Sequence, residues 1–317
     1  MNLTRDLLAI TMLLAAAAIT SAQPAPKAKR VQLPKASDFR AGVFFKDAFQ
    51  EGLVGTRPAK LGVVASRSAN AANLVTPEQS NDSNALKWSE FVSSRTLEDE
   101  VKLLQIGLQQ SVTTPGRFSG GGYREVRKQF SELAALFAVI QNYDGQVRWK
   151  QQAAQARDAF ARAAANAKVT SSQAFNDAKQ RKLDCEELVR GGTLASNKPA
   201  SPENDWENIC DRAPLMQKFT GSYDEGLLIW TSNASEFEKN LANVKREAEL
   251  LKLFAKVLTQ EGMEDAGDDD YEAYCSQLGN AADGVLQAVI NKDAKAARTA
   301  TSLVGKSCAD CHEDYRG

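Results

Sequence analysis

The chain has 317 residues, with 39 Lys or Arg against 40 Asp or Glu, so its formal net charge is −1. This balance excludes a protein that binds nucleic acid or anionic lipid through a bulk positive charge. Hydrophobic residues make up 43% and charged residues 25% of the chain, as in globular proteins, and the length suggests about two domains. The single histidine, His312, excludes a metal centre that needs several histidines and a histidine relay elsewhere in the chain.

The first 22 residues have the pattern of a secretory signal peptide. Arg5 precedes an apolar run at 7–19, and the small residues Ser21 and Ala22 follow it. We expect cleavage after Ala22 and export to the periplasm or another extracytoplasmic compartment, with no stable membrane insertion of the mature chain. An uncleaved anchor is the alternative. The leader and irregular extension at 23–84 suggests no function.

Beyond residue 84, apolar residues recur three and four positions apart, which predicts amphipathic helices. These helices are expected at 88–108, 123–140 and 149–167 in one half, and at 215–230, 237–258, 271–288 and 294–311 in the other. Few segments alternate as strands do, so the predicted class is all-α. About four helices in each half predict two tandem antiparallel four-helix bundles.

An internal repeat relates the two halves. The segment 184–191 can be aligned with 310–317, and the Asp-to-Asp intervals that precede them, 158–184 and 283–310, differ by one residue. This similarity predicts a duplication. We expect one bundle at 85–192, a linker at 193–207 and a second bundle at 208–317.

Cys308-Ala309-Asp310-Cys311-His312 is a C-x-x-C-H motif, which is the signature of covalent haem attachment. Two thiols three positions apart on a helix can reach the two vinyl groups of one haem, and the next residue carries its imidazole to the iron. We therefore expect one haem c per chain. The predicted export agrees, because c-type haem is attached after export.

Other uses of the cysteines stay open. A thioredoxin-like pair is disfavoured because the motif ends a helix instead of opening one after a strand. The further alternatives are a Cys308–Cys311 disulfide and a structural zinc site that would recruit cysteines from elsewhere in the chain. The remaining cysteines, in an oxidising compartment, could pair as Cys210–Cys275 or as Cys185–Cys210.

The second bundle resembles the class II c-type cytochromes, the cytochrome c-prime family. The resemblance rests on a four-helix domain at 208–317 with C-x-x-C-H near its end and an arginine four residues after the histidine. It implies that Cys308 and Cys311 form the thioethers, that His312 is the proximal iron ligand, and that Arg316 lies beside the proximal face.

The first copy departs from the family pattern. Lys182 stands where the first cysteine should be, and Glu186 replaces the histidine. The resemblance extends only weakly over 87–191, so we expect a degenerate copy without haem that serves packing or partner contact.

The sixth iron position is open, because one histidine excludes bis-histidine ligation. Up-down-up-down topology places Met216 at the haem end, as in the Met/His members of the superfamily, and it places Met263 in a loop at the same end. Ligation by Met216, ligation by Met263 and an empty sixth position all remain. Phe219, with Leu215 and Tyr223, is a candidate for the pocket wall.

These residues predict a mono-haem c-type cytochrome for single-electron transfer, which is not an enzyme. The alternative is a five-coordinate protein that binds nitric oxide or carbon monoxide. Peroxidase-like activity is not expected, because no second histidine or distal acid–base pair is available. The acidic run at 264–270 at the haem end would either dock a basic redox partner or remain a solvated loop. The resemblance also allows a homodimer, and the duplicated bundle allows a docking role in a larger redox assembly.

Overall fold

A computed structural model describes residues 86–194 and 200–315 of the chain. These residues form one compact unit and contain helices but no strand, which confirms the all-α class. The signal peptide expected at 1–22 and the extension expected at 23–84 lie outside the described residues. Among the helices that are described, none is long and apolar enough to cross a membrane.

Eight helices of nine or more residues occur in the described part of the chain. In chain order they are α1 (Ser94–Ser111), α2 (Tyr123–Gln141), α3 (Ala153–Asn166), α4 (Ser172–Arg190), α5 (Arg212–Thr220), α6 (Leu241–Leu258), α7 (Asp269–Asn291) and α8 (Ala294–Asp314). Shorter helices lie at Trp88–Glu90, Pro115–Arg117, Lys150–Gln152, Trp206–Ile209, Leu228–Trp230 and Ala234–Lys239, and π-helical turns at Phe118–Gly122 and Gly221–Leu227.

The side chains that cap these helices are the ones that sequence rules favour. Ser93 caps α1 by accepting from the amide of Thr96, and Ser171 caps α4 in the same way. Asp268 and Asp293 cap α7 and α8, and each accepts from two backbone amides. Short polar residues at these positions therefore set where the helices begin.

Four predicted helices differ from the observed ones. Those expected at 88–108 and 237–258 are each broken, the first at 91–93 and the second at Asn240. The helix expected at 215–230 is interrupted by the π-helical turn Gly221–Leu227, which follows α5 directly. Trp149 lies outside α3 in a left-handed conformation, with φ 65°, and its indole nitrogen donates to the carbonyl of Leu188 at 2.7 Å. This contact, distant in sequence, overrides the local helical pattern at Trp149.

The helices pack around a continuous apolar core. In the first half, α2 contacts α1 and α3, and α4 contacts α3 and α1. In the second half, α6 and α8 both contact α7, and both contact the π-helical turn Gly221–Leu227. The halves meet where α2 contacts α5 and where α1 contacts α6. The end of α2 is central, since every residue from Leu133 to Ile140 is fully buried.

Candidate functional site

A cleft opens in the second half between α5 with its π-helical turn, the end of α6, and the helices α7 and α8. Its cavity volume is about 180 Å³, and beyond this volume the cleft opens to solvent. The side chains that line it are Met216, Phe219, Thr220, Tyr223, Asp224, Leu258, Tyr271, Tyr274, Cys275, Leu278, Ser307, Cys308, Cys311 and His312. Most of this surface is apolar, as a flat hydrophobic cofactor requires.

The C-x-x-C-H motif occupies the last two turns of α8. Residues three and four positions apart on a helix share a face, so Cys308, Cys311 and His312 all line the cleft. The two cysteines are half-buried and His312 is exposed at the rim. The motif is therefore held by a regular helix, with both thiols directed to one space.

Both motif thiols are neutral at pH 7. Burial raises the pKa of Cys308 to about 11, and the neighbouring Cys311 adds to this shift. Burial also raises the pKa of Cys311, although Arg212 opposes the shift. Reactive thioredoxin-like cysteines have depressed pKa values and sit at helix N-termini. The pair here has the opposite features, so the structure argues against a thioredoxin-like role.

The part of the cleft wall formed by α5 and its π-helical turn contains residues that the sequence analysis proposed. Met216 is half-buried and Phe219 is buried on α5, and Tyr223 lines the cleft from the π-helical turn. Leu215 is fully buried in the core and is not a cleft residue. Met263 is also buried but does not line the cleft, so of the two methionines considered only Met216 is placed there.

Three tyrosines near the motif were missed by the sequence analysis. Tyr271 and Tyr274 line the cleft, and Tyr315 packs edge-on against both, with ring centroids 5.1 and 6.1 Å away. The side chain of Tyr274 donates to Asp314 at 2.7 Å, and this bond raises the pKa of Tyr274 to about 12. Tyr271 and Tyr274 lie three positions apart, and the sequence analysis interpreted this spacing only as one face of a helix. Their aromatic side chains were the signal that could have identified them as residues of the site.

The predicted acidic run lies close to this aromatic group. Tyr315 donates its hydroxyl proton to Asp268 at 2.6 Å, and that bond, ahead of other influences, lowers the pKa of Asp268. Arg212 pairs with Glu264 at 2.6 Å and with Asp265. The same guanidinium lies 5.7 Å from the ring centre of Tyr271. Glu264, Asp265 and Asp268 of the acidic run therefore bind side chains that lie beside the cleft.

A third thiol, Cys275 on α7, also lines the cleft. Burial raises its pKa to about 12, with a further contribution from Cys311. All five cysteines of the chain lie in the described residues and all are free. The Cys210–Cys275, Cys185–Cys210 and Cys308–Cys311 disulfides considered from the sequence are therefore absent, and buried Cys185 and Cys210 serve as apolar core side chains.

The corresponding end of the first half is built differently. Cys185, which aligns with Cys311, is fully buried in the core instead of lining a cleft. Lys182 donates to the carbonyl of Val112 at 3.4 Å, and Glu186 accepts from Gln109 at 3.4 Å. The residues that replace the first cysteine and the histidine thus make local contacts with α1 and its end.

Arg316, the expected basic neighbour of the proximal face, lies outside the described residues. Within 86–194 and 200–315 no group of three or more His, Cys, Asp or Glu side chains is placed to hold a metal ion, so a four-ligand zinc site has no support. Comparisons with protein-family models, with curated proteins and with solved structures give no significant match to this chain.

Proposed function

We propose that this chain is an exported mono-haem c-type cytochrome of the cytochrome c-prime type that transfers single electrons. The observation that carries the proposal is the placement of Cys308, Cys311 and His312 on one face of α8, where all three line an apolar cleft that opens to solvent. An apolar cleft beside two half-buried thiols and an imidazole fits the C-x-x-C-H signature.

The residues of the cleft fit a covalently held haem. Cys308 and Cys311 would form the two thioether bonds, and His312, the next residue on the same face, would supply the axial imidazole. Haem bound there supplies a reversible one-electron change at its iron. The chain itself contributes apolar side chains such as Phe219 and Leu278, which exclude water and lower the local dielectric around the cofactor.

The duplicated architecture belongs to the same proposal. In each half the helices contact one another in a closed ring of neighbours, which supports two tandem four-helix bundles at 85–192 and 208–317. The first bundle would be a degenerate copy without haem. Full burial of Cys185, where the second bundle has the cleft thiol Cys311, supports this assignment.

The first experiment tests covalent attachment. The full chain should be exported from a host with c-type haem maturation, and haem should be measured by spectrum and by stain after denaturing electrophoresis. We expect one haem per chain, and its loss or weakened attachment in Cys308→Ala and Cys311→Ala. Cys275→Ala is the matched control, since Cys275 lines the same cleft outside the motif and should leave attachment intact. A wild-type chain without covalent haem would refute the proposal.

The second candidate function is gas binding at a five-coordinate iron. Met216 is half-buried on the α5 wall of the cleft, so it could either ligate the iron or leave a position open to nitric oxide or carbon monoxide. Met216→Leu keeps the apolar volume and removes the sulfur. If Met216 ligates, the variant should lose a low-spin ferric spectrum and gain a response to carbon monoxide. If wild type is already high-spin and binds the gas, with Met216→Leu unchanged, the gas-binding function holds.

The acidic rim suggests the class of redox partner. Glu264, Asp265 and Asp268 lie beside Tyr271 and Tyr315 at the cleft, where a basic protein surface could approach the haem edge. Electrostatic complementarity mainly accelerates encounter. Electron transfer to a basic partner should therefore slow with rising salt, and charge-removing substitutions in this run should reduce that dependence.

A further inference from the structure

A cluster of charged side chains is buried where the two halves of the chain meet. The ammonium of Lys218 on α5 lies 2.8 Å from Glu100 of α1, 3.3 Å from Glu132 of α2 and 3.2 Å from Glu247 of α6. All four side chains are at most 14% exposed. Arg246 adds a second cation, 3.3 Å from Glu100 and 2.9 Å from Glu247.

The charges of this cluster do not balance. Three carboxylates face two cations, which leaves one excess negative charge in a place where burial penalises charge. Glu132 and Glu100 share the ammonium of Lys218, so their carboxyl groups are close neighbours and each disfavours the charge of the other. Glu132 Oε1 and Glu100 Oε2 are buried and accept no hydrogen bond, although Lys218 Nζ lies 3.3 Å from the first and Arg246 Nε lies 3.3 Å from the second. A bound proton would satisfy this arrangement.

The surrounding charges do not supply the missing positive charge. The cluster borders a polar cleft with about 830 Å³ of empty space, which Glu125 and Lys128 of α2 and Glu225 of the π-helical turn also line. Lys128 pairs with Glu125 at 2.8 Å, so its charge is already used, and Glu225 adds a further negative charge. The same cleft gives a path for a proton between the cluster and solvent.

Electrostatics favour Glu132 as the group that holds the proton. Burial is the largest influence and raises the pKa of Glu132 to about 8, with Lys218 opposing the shift and Glu100 adding to it. Burial also acts on Glu247, but Lys218, Ser222 and Arg246 outweigh it and lower the pKa of that carboxyl. Glu247 therefore stays ionised at neutral pH while Glu132 is protonated.

One helical segment connects this cluster to the proposed haem cleft. Met216, Phe219 and Tyr223 face the cleft, whereas Lys218 and Ser222, from the same continuous α5 and π-helical turn, face the cluster. The hydroxyl of Ser222 donates to Glu247 at 2.7 Å, so the turn itself is bonded to the cluster. A change of charge in the cleft would therefore act on the cluster across the width of one helix.

We propose that Glu132, with Glu100 and Lys218, forms a proton-binding site whose occupancy is linked to the redox state of the cleft. When the haem proposed for the cleft gains one electron, the added negative charge favours uptake of a proton from solvent onto Glu132. When the electron leaves, the proton is released to solvent. The linked redox half of this inference rests on the proposed function, whereas the proton site stands on the cluster alone.

The proton site is tested by unfolding the protein in urea between pH 5 and pH 9. A carboxyl whose pKa is raised by folding favours the native state below its unfolded pKa and loses that contribution as pH rises through the folded value. The site should therefore raise the unfolding equilibrium constant of wild type by about tenfold per pH unit from pH 5 to about pH 8, and the constant should level off above that pH. Glu132→Gln, which resembles the protonated carboxyl, should lack that rise and become more stable than wild type at pH 9.

Glu238→Gln is the control, because it makes the same change at an exposed side chain away from the cluster. It should keep the wild-type pH dependence. If Glu132→Gln lowers stability equally at every pH, or if it keeps the wild-type dependence, the proton site is overturned. This measurement needs no haem, so it stands whether or not haem attaches.

The redox link is tested by midpoint potentials of the haem-loaded protein over the same pH range. The potential of wild type and of Glu238→Gln should fall as pH rises through the pKa of the site, and that of Glu132→Gln should fall less. Parallel curves for all three proteins would overturn the link. A chain that attaches no haem would contradict the proposed function and with it the link, while the unfolding result would still decide the proton site.

Discussion

At the scale of single residues, Gly305 allows the cleft residue Tyr223 to pack closely against α8. It precedes Cys308 by one turn of α8, and Tyr223 of the π-helical turn packs directly against its backbone. A Cβ at this position would lie 2.6 Å from Cζ of Tyr223 and closer still to the hydroxyl oxygen. The absence of a side chain at Gly305 therefore lets the hydroxyl end of Tyr223 contact α8 one turn before Cys308.

Replacing Gly305 by alanine should push the Tyr223 ring toward the cleft. Overpacking of this kind costs about 1–3 kcal/mol of unfolding free energy. We also expect reduced haem attachment, because the displaced ring would occupy cofactor space. Urea unfolding and haem content measure the two effects, and the second substitution Tyr223→Leu should restore both.

Gly279→Ala on α7 is the control for this prediction. No atom lies within 4 Å of a Cβ placed there, so the alanine should raise stability by about 0.5–1 kcal/mol through helix propensity. Equal responses of the two variants would show that close packing against Tyr223 is not important.

At the scale of elements, the start of α1 is fixed by a side chain from the other half of the chain. Ser93 caps α1, and Glu249 of α6 accepts from the Ser93 amide at 3.2 Å and from its hydroxyl at 2.7 Å. Lys245 pairs with the same carboxylate at 3.2 Å. Burial opposes ionisation of Glu249, but the bonds from Thr96 and Ser93 outweigh it, so the pKa of Glu249 is lowered.

Glu249→Gln should destabilise the protein in a pH-dependent way. Because folding lowers the pKa of Glu249, the contribution of its charge is present above its ordinary value of 4.5 and is lost as pH falls through the folded value. We expect a loss of about 1–2 kcal/mol at pH 7 that becomes smaller as pH falls below 4.5. Urea unfolding at pH 7 and at pH 3 checks this, with exposed Glu238→Gln as the control. An equal loss at both pH values would contradict it.

At the scale of the whole molecule, a buried arginine ties the linker to the first half. Arg157 of α3 is 1% exposed. Its guanidinium donates to Gln141 Oε1 at 2.5 Å, to Asn204 Oδ1 at 2.7 Å, and to the carbonyls of Ser201 at 2.8 Å and Glu203 at 3.0 Å. Residues 201–204 of the linker are thus bonded to the first half of the chain.

Arg157→Met should release this segment. Removal of one member of a buried charged network costs about 3–5 kcal/mol, because the remaining partners lose their bonds. We expect a lower urea midpoint and faster proteolytic cleavage within 193–207. Arg162→Met, on an exposed position of the same helix, should change neither. If cleavage of both variants follows wild type, Arg157 does not hold the linker.

The sequence alone predicted the all-α class, the positions of most helices and the common face of Cys308, Cys311 and His312. These features depend on local geometry: apolar periodicity identifies a helix, and residues at i, i+3 and i+4 lie together on any helix. The prediction that Met216 and Phe219 share an end of the molecule with the motif also followed from helix order, and both line the cleft.

Only the tertiary structure decided which distant residues meet. Cys275, Tyr271 and Tyr274 join the cleft from α7, and Glu100, Glu132, Glu247 and Lys218 meet from four helices. Residue spacing also could not predict that a π-helical turn follows α5, or that the cysteines are unpaired. Periodicity determines which face of a helix is buried, but the rotation and depth at which faces pack depend on the fit of side chains from the whole core.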